Sequence, residues 1–175
     1  MLSIYFSTDA MNPTTRIKIS LDQQTLELHT DDQSVRSFAI SSAEKGMGFA
    51  EGSLRTPTGR FAISEKIGDD QPIHTRFQAR VPTGTWNPGD FTEDDLILTR
   101  ILRLEGLDAQ NANTMDRYIY IHGTNREDLL GSPASHGCIR LSNSDMIELF
   151  NSVEEDLEVT IAPLTGSQTK LLFID

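Results

Sequence analysis

Two short runs near the start alternate polar and apolar residues: Arg16-Ile17-Lys18-Ile19-Ser20-Leu21 and Thr25-Leu26-Glu27-Leu28-His29. A period of two puts every apolar side chain on one face, which suits a strand buried on one side. Asp22-Gln23-Gln24 lies between them, so the pair predicts a hairpin. Similar segments recur along the chain. Val35–Ile40 predicts a third strand, and Arg60–Ser64 a fourth after the turn Thr56-Pro57-Thr58-Gly59. Leu96–Leu104 predicts a buried strand, with a short helix as the alternative. Arg117–His122 is the run richest in strand formers, and Leu157–Ile161 is the last strand. Gly46, Gly48 and Gly52 mark a loop. Residues 66–94, interrupted by Pro72, Pro82, Gly84, Pro88 and Gly89, predict a long excursion with short strands. One segment reads as helix: Ser142 or Asn143 caps it, Asp145 sits in its first turn, and Met146, Leu149, Phe150 and Val153 recur at helical spacing. The fold expected is a single mainly β domain with one clear α-helix.

A chain of 175 residues is long enough to bury one adequate core without a disulfide or metal. Its single cysteine excludes an intrachain disulfide and a multi-cysteine metal cluster. Fifteen Lys+Arg against 26 Asp+Glu give a net charge of −11. That argues against nucleic acid and against an anionic membrane surface as partners. No Lys or Arg precedes Arg16, and the apolar stretch Leu2–Phe6 is broken by Ser3. A secretory signal needs a basic start and an apolar core of roughly 7–15 residues, and a membrane span needs about 20. The expectation is a cytoplasmic protein, or a periplasmic one if a leader has been removed. Residues 1–15 are expected to be an extension, with Met11 as an alternative start, 16–165 the domain, and 166–175 a tail.

The chemistry concentrates between residues 118 and 141, YIYIHGTNREDLLGSPASHGCIRL. This stretch holds the lone cysteine and two of the four histidines, with Cys138 lying 16 positions after His122 (138 − 122). A loop of that length can leave a strand at His122 and return the thiol beside it. Cysteine acyl transfer needs a thiol, a base, a group orienting the base and donors for the oxyanion. Cys138 supplies the sulfur, and His122 at a strand end is a rigidly placed base. Gly137 lets backbone N–H groups approach a substrate. Arg140 and the start of the helix are expected to lower the Cys138 pKa, and Arg140 is suited to bind a carboxylate. Other readings exist. A lone cysteine is often a small buried apolar residue. His122, His136 and Cys138 could ligate zinc, but their spacing is tight and a fourth ligand is not evident. Ser135 lacks the glycine frame of a nucleophile elbow.

IHGTN followed by SHGCIRL and then NSDMIELF strongly resembles the catalytic signature of the YkuD-type L,D-transpeptidase family. The TPTG turn at 56–59 also matches, and the likeness spans roughly residues 16–162. The resemblance implies a YkuD-like β-sandwich catalytic domain without cofactor or metal. It implies Cys138 as nucleophile, His122 as base, the Gly123 carbonyl orienting His122, and Gly137 and Cys138 N–H groups as the oxyanion hole. His136 and Ser135 would shape the site, and Arg140 and Thr124 would hold substrate. The implied substrates are peptidoglycan stem peptides or muropeptides, cleaved between diaminopimelate and the terminal D-Ala. Carbapenem-like β-lactams are implied to acylate the cysteine. With a cytoplasmic location, the expectation is an L,D-carboxypeptidase trimming recycled tetrapeptides. The alternatives are an exported transpeptidase cross-linking stems or attaching proteins to the wall, and a non-catalytic fragment binder.

Overall fold

The computed structural model describes residues 15–165. The extension and tail expected at 1–15 and 166–175 thus lie, but for Thr15, outside the described residues. Alternation decides the first strands. β1 (Arg16–Ser20) buries Ile17 and Ile19, β2 (Thr25–His29) buries Leu26 and Leu28, and β3 (Val35–Ala39) buries Phe38. They form an antiparallel meander in which Ile17 faces Leu28 and Leu26 faces Phe38. There follow β4 (Gly59–Ile67), β5 (Thr75–Gln78), β6 (Val81–Thr85), β7 (Ile97–Gly106), β8 (Tyr120–Gly123), β9 (Ile139–Leu141), the helix α1 (Asn143–Ser152) and β10 (Glu158–Ala162).

The ten strands form one curled sheet in the order β3-β2-β1-β10-β4-β7-β5-β6, with β8 pairing β7 and β9. The mainly β fold with one helix is as expected. Two pairings are parallel, β1 with β10 and β8 with β9. The inner faces close on a main core that includes Ile17, Leu26, Phe61, Leu104, Ile121 and Phe150. Each such side chain contributes about 1.5–3 kcal/mol by leaving water. The Ser142 hydroxyl caps α1 by accepting the Asp145 N–H at 3.1 Å, and Met146, Leu149 and Phe150 turn inward. Among the described residues, no helix is long and apolar enough to cross a membrane.

The run Arg117–His122 becomes strand only from Tyr120. Tyr118 takes φ 55°, and the Arg117 and Tyr118 N–H groups close turns onto Asn113 and Met115. Local strand propensity yields there to the turn that delivers the chain to the sheet. β7 carries a second irregularity. Leu98 pairs with Gly123 but Ile101 pairs with His122, so Thr99 and Arg100, both buried, form a bulge, with Thr99 at φ 73°. The Thr99 hydroxyl meets Asn143 Oδ1 at 2.5 Å, which ties the bulge to the start of α1. Gly123 packs against this knot. A Cβ there would stand 2.6 Å from Asn143 Oδ1 and 2.8 Å from the Leu98 carbonyl oxygen, so a side chain has no room.

Candidate active site

The parallel register of β8 and β9 sets Ile121 beside Ile139 and His122 beside Arg140. Ile121 and Ile139 point into the main core, so alternation turns His122 and Arg140 to the opposite face. Cys138 precedes β9 by one residue and continues that alternation. Its Sγ lies 3.4 Å from the Tyr120 N–H donor, and its S–H donates to the Tyr118 carbonyl at 3.3 Å. The loop after β8 therefore brings the thiol back beside the strand that carries His122. His122 is 2% exposed. Its Nδ1 donates to the Gly123 carbonyl oxygen at 2.7 Å. A carbonyl only accepts, so this bond fixes the tautomer and leaves Nε2 as the basic nitrogen.

Burial holds the His122 imidazole below its ordinary pKa of 6.5, against the opposing pull of the Gly123 carbonyl and Asp95. Burial also drives the Cys138 thiol from 9.0 up to about 12, aided by Asp95 and opposed by the Tyr120 N–H, Arg140 and Arg117. Both shifts favour the uncharged forms of the thiol and the imidazole. The expected lowering of the thiol pKa does not occur, because desolvation outweighs both guanidinium groups.

Arg140 also departs from expectation. It is 1% exposed, and its Nη1 donates to Asp95 Oδ1 at 2.9 Å and its Nη2 to Ser41 Oγ at 2.8 Å. Its carboxylate partner in this structure is internal, Asp95, in place of the expected substrate carboxylate. Thr124 is fully buried. Its hydroxyl accepts the Arg126 N–H at 3.0 Å and its carbonyl accepts from Asn143 Nδ2 at 2.8 Å, so it braces the turn after β8. Ser135 is buried and spans the thiol turn, donating to the Cys138 carbonyl at 2.6 Å and accepting the Gly137 N–H at 3.2 Å. That N–H is thus engaged by Ser135 in this structure. Gly137 itself sits at φ 129°. Thr56, from the TPTG turn, donates to the Gly137 carbonyl at 2.9 Å and accepts the Ala43 N–H at 3.1 Å. His136 is exposed, with Nδ1 3.8 Å from Asp95 Oδ2.

Two contributors were not legible in the sequence. Asp95 joins Arg140 and His136 and acts electrostatically on both His122 and Cys138. In sequence it is only the end of an acidic loop run, Glu93-Asp94-Asp95. Arg117 donates to the Gly48 carbonyl at 3.0 Å and the Arg55 carbonyl at 2.6 Å, pinning the glycine loop near the thiol. A cleft of about 510 Å³ is lined by residues including Arg76, Phe77, Glu93, Asp94, Asp95 and His136. Cys138 packs against the apolar cluster of Phe77, Ile101 and Tyr120, and Phe77 also lines this cleft. Among the described residues, no three His, Cys, Asp or Glu side chains converge to hold a metal ion.

Comparison with known proteins supports the same assignment of the domain. A family model described as the L,D-transpeptidase catalytic domain matches residues 14–161. The chain is 29% identical over 157 residues to YkuD of Bacillus licheniformis, a protein assigned to the L,D-transpeptidases, covering 87% of this chain and 70% of that one. It is 41% identical over 56 residues to YqjB of Bacillus subtilis, covering 32% of this chain and 31% of that one. Its fold is similar to an L,D-transpeptidase of Xylanimonas cellulosilytica, with TM-score 0.56 and 22% identity, covering 90% of this chain and 65% of that one. It is likewise similar to L,D-transpeptidase 3 of Mycobacterium tuberculosis in complex with a faropenem-derived adduct, with TM-score 0.55 and 17% identity, covering 86% and 60%. The chain spans less than two thirds of either solved chain.

Proposed function

Because the chain belongs to the L,D-transpeptidase catalytic-domain family, we propose that it catalyses cysteine-dependent acyl transfer on peptidoglycan stem peptides. The observation that carries the reading is the shared face of His122 on β8 and Cys138 just before its parallel neighbour β9, with His122 Nδ1 committed to the Gly123 carbonyl. In this reading His122 Nε2 takes the Cys138 proton as the sulfur attacks the carbonyl between diaminopimelate and D-Ala. The imidazolium then protonates the departing D-Ala amine, leaving a thioester on Cys138. The Gly123 carbonyl orients the ring and stabilises its charged form, as the third member of a triad does. With the Gly137 N–H held by Ser135, the Cys138 N–H is the remaining donor of the expected oxyanion pair.

For the second half of the reaction we propose water as acceptor, which makes the protein an L,D-carboxypeptidase that converts tetrapeptide muropeptides to tripeptides in the cytoplasm. Soluble fragments offer few acceptor amines, while water is abundant. An amine acceptor is the second reading. The acidic cleft residues Glu93 and Asp94 favour it, since they would attract a cationic amine. By analogy with the faropenem-derived adduct of the mycobacterial enzyme, we also propose that β-lactams of the penem and carbapenem type acylate Cys138.

The test is incubation of the purified chain with defined disaccharide-tetrapeptide, followed by mass spectrometry of products. Tripeptide release that vanishes in Cys138→Ala supports the hydrolase. Dimer formation without tripeptide supports the transpeptidase. Binding with no turnover in the wild type leaves a non-catalytic fragment binder.

A further inference from the structure

Asn125 lies in the turn after β8, just past the end of the strand. The antiparallel register that pairs Leu98 of β7 with Gly123 of β8, carried on past the end of the backbone ladder, sets Leu96 opposite Asn125. Leu96 is 6% exposed, so its buried N–H needs an acceptor. The Asn125 side chain supplies it. Its Oδ1 accepts the Leu96 N–H at 2.9 Å, and its Nδ2 donates to the Asp94 carbonyl at 3.0 Å. One carboxamide thus holds the peptide groups on both sides of Asp95, which leaves that residue little freedom to swing. The Asp95 carboxylate is turned toward β9, with Oδ1 2.9 Å from Arg140 Nη1 and Oδ2 3.8 Å from His136 Nδ1. Arg140 in turn stands beside His122 in the parallel register of β8 and β9.

From this geometry we propose that Asn125 is a positioning residue for acyl transfer, clamping Asp95 so that its carboxylate keeps a fixed place against Arg140 and toward His122. The proposal rests on the acyl-transfer reading above and deepens it. When His122 takes the thiol proton it becomes an imidazolium in a site where burial disfavours charge. The Gly123 carbonyl and Asp95 favour that charged form, and Arg140 opposes it. Of these groups Asp95 brings the formal negative charge, which stabilises the cation formed on the way to the thioester. Asp95 and Arg140 also act on the thiol, in opposite senses, together with Arg117. Asp95 faces Arg126 as well, but that guanidinium is paired with Asp128. Coulomb interactions weaken with distance. A loop free to carry Asp95 outward would therefore leave the Arg140 charge acting on His122 uncompensated. Among the described residues the Asn125 side chain bonds to Asp94 and Leu96, so its effect passes through the loop.

Two measurements on the full chain test this. One is NMR titration of the His122 ring, assigned by its absence in His122→Gln. The other is kcat/KM for turnover of disaccharide-tetrapeptide. Asp95→Asn should lower the pH at which His122 titrates and cut kcat/KM about 10-fold, less than the roughly 100- to 1,000-fold lost with a donor in direct contact with an oxyanion. Asn125→Ala should move both in the same direction, and Asn125→Gln, which keeps the amide, should recover part of the loss. In the Asp95→Asn background Asn125→Ala should add little, because the charge it positions is gone. A merely structural role gives the opposite titration, since a loosened turn lets water reach His122 and moves it back up toward the ordinary value of 6.5. That result, or a loss in Asn125→Ala of the same fold in both backgrounds, overturns the proposal. If the wild type does not turn over the stem peptide, yet Asn125→Ala lowers the His122 titration only when Asp95 is present, the acyl-transfer reading fails and the clamp stands.

Discussion

The pair Asp95–Arg140 joins the long excursion to the strand after the thiol, and its removal has a calculable cost. Arg140 is 2% exposed at its side chain and Asp95 21%, with Nη1 and Oδ1 2.9 Å apart. Arg140 Nε has no hydrogen-bond partner among the described residues, so the guanidinium relies on Asp95 and Ser41. Removing one member of a buried pair typically costs about 3–5 kcal/mol, because the remaining charge stays buried without compensation. Asp95 is partly open, and water replacing it would reach the arginine, which places Asp95→Ala near the low end at about 3 kcal/mol. For a domain of this size that corresponds to a fall in Tm of roughly 6–12 °C. Urea denaturation of the wild type, Asp95→Ala and the double variant Asp95→Leu/Arg140→Met would check the reasoning. The single variant should lose stability and the double variant should recover most of it, since apolar replacements of similar volume remove the stranded charge. A loss below about 1 kcal/mol in Asp95→Ala would refute the claim that the pair is desolvated and structurally required.

Four further outcomes are expected. Alkylation of Cys138 by iodoacetamide should keep accelerating as pH rises past 9, because the thiol titrates at about 12. A thiolate–imidazolium pair would instead show a plateau at acid pH. In the same pH series stability should fall above pH 9, where the unfolded thiol ionises and the folded one resists. It should fall again below the ordinary histidine value of 6.5, where the unfolded imidazole binds a proton that buried His122 refuses. Gly123→Ala should lose about 1–3 kcal/mol by overpacking against Asn143 and Leu98, and activity should fall further than stability because the His122-orienting carbonyl moves. Ser142→Ala should cost about 1 kcal/mol through loss of the α1 cap, with the pH profile of the reaction unchanged.

Alternation made the first hairpin readable, since Ile17, Ile19, Leu26 and Leu28 must share one side of any sheet they enter. The α1 cap was equally local, with Ser142 reaching only to Asp145. What was missed depends on partners distant in sequence. Arg140 has the chemistry of a carboxylate ligand, and it does bind one, but that carboxylate is Asp95, 45 positions earlier. No local signal distinguishes an internal partner from a substrate. Thr124 and the Gly137 N–H, by contrast, are held by near neighbours, Arg126 and Ser135, two positions away, with Asn143 adding a longer link to Thr124. The thiol pKa was misjudged because charge can be counted along a sequence and desolvation cannot. β9, at three residues, is too short to show a period, and it is strand because β8 lies beside it.

The central claim is that Cys138 carries the acyl group and His122 generates its nucleophile. Intact-mass spectrometry of the full chain quenched in acid during turnover of a diaminopimelate tetrapeptide measures this directly. The account predicts one acyl adduct on the wild-type protein, mapped to the peptide containing Cys138, and none on Cys138→Ala or His122→Ala. An adduct that persists in Cys138→Ala, or tripeptide release by that variant at the wild-type rate, would contradict it.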